Sequence, residues 1–167
     1  MLLTIDLGNT EITGALFSGD QLKGHFRLTA VGQRTPDEWA ATLTMHLTQA
    51  GGGHSPREVK AAAIASVAPA VTEGLAAGLE AATGRKPVLV GPGSRLPLKL
   101  DVDEPLTVGA DRVVNTLAAV ELYRRDTIVV DFGTATTFDC ITADTPPRFI
   151  GGAIAPGLVT GADNLVH

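Results

Sequence analysis

Residues 2–7, 12–18 and 22–28 carry strand-type apolar patterning. Gly8-Asn9-Thr10 and Ser18-Gly19-Asp20 between them are turn chemistry, so the chain is expected to open as a meander. Thr35-Pro36-Asp37-Glu38 has the form of a capping box with proline at the first helical position. Trp39, Leu43 and Leu47 then recur at helical spacing, which predicts a helix to about Gln49, ended by the glycines Gly51 to Gly53. Val59 to Ser66 predicts a buried strand, Pro69 to Thr83 an Ala/Leu helix and Pro87 to Val90 a further strand, after which Gly91-Pro92-Gly93 closes the unit. Residues 94–108 predict a proline-containing connector with an acidic patch at Asp101, Asp103 and Glu104. A helical apolar pattern follows over Arg112 to Tyr123, and strand patterns follow at Ile128 to Asp131, Phe138 to Thr142 and Phe149 to Ile154. Pro156 is placed to open a final helix.

Composition narrows the class. With 167 residues and 44% hydrophobic positions the chain can bury a core as one domain or two small ones. Only 4% of residues are aromatic while glycine (19) and proline (10) are plentiful, which suits an aliphatic core in an α/β protein. A charged fraction of 19%, a net charge of −5 and a mean hydropathy of +0.20 argue against disorder and against nucleic acid as the main ligand. The single cysteine, Cys140, forms no internal disulfide and fits a reducing compartment. His25, His46, His54 and His167 lack metal-ligand spacing, so no structural zinc is expected. The N-terminal Met1-Leu2-Leu3-Thr4-Ile5-Asp6 has no basic region, and no apolar run is long enough for a membrane span, so a cytoplasmic protein is expected.

One device occurs twice. Thr4-Ile5-Asp6-Leu7-Gly8-Asn9-Thr10 and Val129-Val130-Asp131-Phe132-Gly133-Thr134-Ala135-Thr136 each read as a strand, a terminal aspartate, a glycine turn with Thr or Asn, and a second strand. Such a carboxylate at the mouth of a sheet can hold a cation, and the turn amides and hydroxyls can meet phosphate oxygens. Two such turns facing each other make a nucleotide cleft, although Asp-x-Gly is also ordinary hairpin punctuation. A dinucleotide-binding Rossmann site does not fit, because the first strand runs into another strand and the G-x-G-x-x-G spacing is absent. Gly109-Ala110-Asp111-Arg112 at a helix start reads either as capping, with Asp111 favourable at the positive helix end, or as a functional motif.

Four segments together resemble the ordered motifs of type III pantothenate kinase: Asp6 to Thr10, Gly109 to Asn115, Val130 to Asp139 and Gly151 to Gly157. The resemblance implies a ribonuclease H-like α/β fold of the actin, sugar kinase and heat-shock chaperone type. It further implies a complete first domain over residues 1–125 and a shortened second domain over 126–167. The implied reaction is ATP-dependent phosphorylation of pantothenate to 4′-phosphopantothenate, the first committed step towards coenzyme A, with a homodimer as the family's assembly. Carried over, residues Asp6, Leu7, Gly8, Asn9, Thr10, Glu11, Ile12 and Thr13 are the first phosphate loop, with Asp6 near Mg²⁺. Thr134 touches ATP from the second loop, and Asp131 holds a monovalent cation, potassium or ammonium. Asp111 is the general base, Gly109, Ala110, Asp111 and Arg112 contact pantothenate, and an arginine suits pairing with its carboxylate. Gly151 to Gly157 matches the family's glycine-rich segment near the substrate, which a tight turn into the last helix also explains.

Two local departures accompany the resemblance. Glu11 stands where the family commonly has a small or amide residue, and either repels ATP or points outward. Leu100-Asp101-Val102-Asp103 stands where many members carry a tyrosine. Full members also run further, so an uncovered apolar face and unpaired strand edges are expected on the second sheet, with a C-terminal half as a complementing partner. A non-catalytic regulator of the Bvg accessory factor type is the alternative, and neither membrane nor nucleic acid is expected as a partner.

Overall fold

The computed structural model describes residues 1–30, 32, 34–158 and 161–162, so His167 and most of the expected final helix lie outside the described residues. The chain forms two compact units, Met1–Val90 and Gly91–His167.

In the first unit β1 (Leu2–Leu7), β2 (Glu11–Ser18) and β3 (Gln21–Thr29) form the expected antiparallel meander. Helix α1 (Pro36–Ala50), β4 (Ala61–Ser66), α2 (Pro69–Thr83) and β5 (Val88–Val90) follow, giving a sheet of order β3-β2-β1-β4-β5 in which β4 runs parallel to β1 and β5 to β4. The period of two on β1 sends Leu3, Ile5 and Leu7 into the core and Leu2, Thr4 and Asp6 to the other face. Trp39, Leu43 and Leu47 of α1 meet Leu75 and Leu79 of α2 in that core, each worth about 1.5–3 kcal/mol of burial. The capping box forms as expected: Thr35 Oγ1 accepts from the Glu38 amide, and the Glu38 carboxylate accepts from the Thr35 amide at 2.8 Å. The buried strand expected from Val59 starts at Ala61, because Pro56–Glu58 is a 3₁₀ turn closed by its own Ser55 cap.

The second unit holds β6 (Lys99–Leu100), α3 (Ala110–Tyr123), β7 (Thr127–Phe132), β8 (Ala135–Thr142) and β9 (Arg148–Pro156). Its sheet has the order β6-β9-β8-β7, antiparallel except where β6 joins β9. Its core is smaller, built on Val108, Val113 and Phe149. The expected division after residue 125 falls inside this unit, because α3 packs on β7 and β8 and Lys99–Leu100 pairs with β9.

Three local expectations change. Residues 94–108 are no plain connector, since they supply β6 and a 3₁₀ turn at Pro105–Thr107. The acidic patch is partly neutralised: Asp101 is ion-paired with Lys99 at 2.7 Å and with Arg148 at 2.9 Å, which holds its carboxyl below the usual range. Pro156 itself ends β9, because it pairs with Ala135 and its carbonyl accepts from Thr136 Oγ1, and helical backbone begins two residues on at Leu158, with the Gly161 amide donating to the Gly157 carbonyl at 2.7 Å. The face of the second sheet bearing Ile128, Val130, Phe132 and Phe138 is exposed by 38–65%, the uncovered apolar face that the resemblance led one to expect. This is a mixed α/β chain of two sheets, as the sequence pattern leads one to expect.

Candidate active site

The repeated device is real and nearly superposable in register. In the first unit Asp6 is the penultimate residue of β1, lies opposite Thr13, and the turn closes with the Gly8 amide donating to the Glu11 carbonyl at 2.9 Å. In the second unit Asp131 is the penultimate residue of β7, lies opposite Thr137, and the Gly133 amide donates to the Ala135 carbonyl at 2.9 Å. The second turn is one residue shorter. Both aspartates are exposed at a strand end, on the face that alternation turns away from Leu7 in one case and from Val130 in the other.

Within the first loop the residues divide by burial. Asp6, Asn9, Thr10 and Glu11 are exposed, whereas Leu7 and Ile12 are fully buried core residues whose backbone alone can face a ligand. Gly8 is partly buried, and Thr13 lies on the return strand. Glu11 points along the sheet surface to Arg27, at 3.5 Å. Such an exposed pair contributes little to stability, but it answers the Glu11 carboxylate with a cation.

The second unit brings several of the expected residues together on α3. Gly109 is the N-cap of α3, with extended ψ of 144° and no side-chain cap, and Ala110 is buried at the first position. Asp111 stands in the first turn, where one oxygen accepts from the Arg112 amide at 2.7 Å. Asn115 is one turn further along the same face and donates its Nδ2 to Asp131 at 3.2 Å.

Arg112 is bound internally. Its Nε donates to Asp139 at 2.6 Å, its side chain is 15% exposed, and its guanidinium lies 5.1 Å from the centre of the Phe149 ring. This arginine is thus paired through its Nε with a carboxylate from β8. Asp139 is fully buried, and among the described residues its other oxygen has no second partner and the buried Arg112 Nη2 has none. Burial pushes the Asp139 carboxyl above the usual range, Arg112 opposes that, and the nearby charges of Asp111 and Asp131 add to it. Asp139 and Asn115 lie inside motifs the sequence displayed but were assigned no role. A charged residue two positions before the buried Ile141 on a strand was the available signal for Asp139.

The glycine-rich segment is strand β9. A Cβ at Gly152 would meet the Phe138 carbonyl at 1.9 Å and Arg112 Nη2 at 2.7 Å, so only glycine lets β9 close over the Arg112 pair. A Cβ at Gly157 would meet the Thr134 carbonyl at 2.3 Å, so this residue backs the second turn. These close approaches are to the chain's own backbone and to the Arg112 side chain.

The donor sets suit hard cations of low protein coordination. Among the described residues no three His, Cys, Asp or Glu side chains group as a metal cage. Asp6 and Asp131 each present one exposed carboxylate beside a glycine turn, so an ion held there would take most of its ligands from elsewhere. No helix is long and apolar enough to cross a membrane among the described residues.

Comparison with known proteins places this geometry. The family model described as type III pantothenate kinase matches residues 2–167. A type III pantothenate kinase of Moorella thermoacetica is 41% identical over 165 residues, covering 99% of this chain and 63% of the relative. One of Rhodospirillum centenum is 43% identical over 166 residues, covering 99% of this chain and 62% of the relative. The chain thus spans a little under two thirds of the length of these relatives. Among solved structures, the Aquifex aeolicus Ppx/GppA phosphatase, type II variant, matches 98% of this chain and 54% of its own length with a TM-score of 0.51 and 10% identity, a likeness of fold alone. The repeated aspartate turns and the Asp111-Asn115-Asp131 grouping are thus features of a chain that belongs to the type III pantothenate kinase family.

Proposed function

We propose that this chain supplies the catalytic carboxylates for ATP-dependent phosphorylation of pantothenate to 4′-phosphopantothenate, the first step towards coenzyme A, in a cytoplasmic enzyme. The observation that carries this reading is the hydrogen bond from Asn115 to Asp131, one helical turn along α3 from Asp111, in a chain of this family. Asp111 is the general base: one of its oxygens accepts from the Arg112 amide, and in this reading the other takes the hydroxyl proton. An alcohol is too weak an acid to ionise first, so the proton passes to Asp111 as the new O–P bond forms to the γ-phosphorus and the bond to the ADP oxygen breaks. Gly109 and Ala110 shape the pantothenate site at the α3 N-terminus, and Arg112, locked to Asp139, holds the first turn of α3 in place.

Asn9, Thr10 and the amides of the first turn attend the ATP phosphates, and Thr134 does so from the second turn. Asp6 is the residue to hold Mg²⁺, and Asp131 the monovalent cation, potassium or ammonium; bound cations neutralise the charge of the phosphate oxygens. Pantothenate and ATP are the ligands, and a homodimer or a complementing C-terminal segment is the assembly.

The test is phosphorylation of radiolabelled pantothenate with ATP, Mg²⁺ and K⁺, by the 167-residue chain alone and with a co-expressed C-terminal segment of a relative. Asp111→Asn keeps the shape and removes the base, so turnover should fall by about 10²–10⁴ while ATP binding persists. Unchanged turnover in that variant would remove Asp111 from the mechanism.

A further inference from the structure

The first unit carries a second charged feature, at the other end of β1 from Asp6. A cavity of about 650 Å³ there is lined by Met1, the turn after α1, and the side chains of Lys23, Arg57, Lys60 and Arg85. The length of β1 puts it roughly 17 Å from Asp6. Its volume lies in the range of small-molecule sites.

The charge is segregated. Residues 1–90 contain seven Lys and Arg and eight Asp and Glu, yet four of the seven cations and only one of the eight acids line this cavity. That acid, Glu58, is already engaged by His54 at 3.0 Å and by the Ser55 amide at 3.0 Å. None of the four cations has an ion-pair partner among the described residues. In a chain of net charge −5, a concave patch of uncompensated positive charge focuses the field on its mouth.

Helix termini explain only part of it. Helices α1 and α2 end nearby, and Arg57 donates to the Ala81 carbonyl at 3.2 Å, as a cation at a helix C-terminus should. Lys23 reaches only Gln21, and the side chains of Lys60 and Arg85 bond no helix carbonyl among the described residues. Three cations therefore converge on the cavity without a structural partner of opposite charge.

We propose that this cavity binds a small oligophosphate anion, either inorganic or the phosphate tail of a metabolite. Two guanidinium groups supply planar forks for phosphate oxygens and two ammonium groups supply point charge, a combination suited to two or more linked phosphoryl groups. The site is independent of the kinase reading, because it shares no residue with either aspartate turn.

Isothermal titration of the 167-residue chain with inorganic tripolyphosphate, without Mg²⁺, tests it. Saturable binding at one site is expected, weakened about tenfold or more in the Lys60→Gln/Arg85→Gln variant, which leaves the Arg57 cap intact. Lys23→Gln alone should weaken it by a smaller factor. Arg27→Gln, a cation outside the cavity, should not change it. Titration with pyrophosphate and with a nucleoside triphosphate then separates an inorganic ligand from a metabolite tail by relative affinity. Absence of saturable binding overturns the proposal, and so does equal weakening by Arg27→Gln and the double variant, which is the signature of diffuse attraction.

Discussion

Replacing Asp139 by alanine isolates the interaction on which the second unit turns. The side chain is fully buried, its bond to Arg112 is 2.6 Å long, and the arginine is only 15% exposed. Removing the carboxylate strands a guanidinium among Phe149, Gly152 and α3, and breaking one side of such a pair costs about 3–5 kcal/mol. The lower end applies, because among the described residues Arg112 Nη2 and the second Asp139 oxygen already have no partner, and the Phe149 ring still faces the cation. For a chain of 167 residues a loss of about 3 kcal/mol lowers the melting temperature by roughly 6–12 °C. The double substitution Asp139→Leu/Arg112→Met removes both charges together and should stay within about 1 kcal/mol of the parent. Urea unfolding followed by far-UV circular dichroism, with thermal melts alongside, measures both. A single-variant loss under about 1 kcal/mol, or a double variant as unstable as the single one, would refute the view that an uncompensated buried charge is the source of the penalty.

Further outcomes follow from the same structure. Burial raises the Asp139 carboxyl, so the folded state binds its proton more tightly than the unfolded state does. Its contribution therefore falls as pH rises from the ordinary aspartate value through the raised one, and Asp139→Asn should remove that component from a stability-versus-pH series. Asp101 and Asp144 are lowered by their hydrogen bonds, to Lys99 and Arg148 and to Thr142 and Arg148 respectively. Their contributions are present above the unfolded carboxylate value and are lost as pH falls through the lowered ones, which Asp101→Asn with Asp144→Asn should flatten in the same series. Gly152→Ala forces a Cβ to within 1.9 Å of the Phe138 carbonyl, so a loss of at least about 3 kcal/mol or failure to fold is expected, and a normal melt would mean β9 shifts freely. Thr35→Ala breaks the α1 capping box and should cost about 1 kcal/mol in urea unfolding, against no change if the cap is dispensable. The exposed Ile128, Val130, Phe132 and Phe138 face should bind a hydrophobic dye in the 167-residue chain, and co-expression with a relative's C-terminal segment should reduce that signal.

The local elements were legible because their causes are local. The Thr35 capping box, the four-residue spacing of Trp39, Leu43 and Leu47, and the glycine turn at Gly8 act within a few residues, and each element they predict is present. Asp6, Asp111 and Asp131 were visible for a similar reason, since each sits in a short motif at a strand end or a helix start. The two-residue strand Lys99–Leu100 was not, because it exists only through pairing with Arg148 and Phe149, nearly fifty residues on. Arg112 shows the same limit for chemistry. Nothing next to Arg112 in the sequence points to Asp139, which takes its Nε because the packing of α3 on β8 brings the two together. The clustering of Lys23, Arg57, Lys60 and Arg85 is likewise invisible along the chain, where they lie in separate segments. Sequence alone determined which residues could bear charge at a turn or a cap, because propensity and periodicity are short-range. The tertiary structure decided which charge meets which, because Coulomb and hydrogen-bond partners are chosen by distance in space.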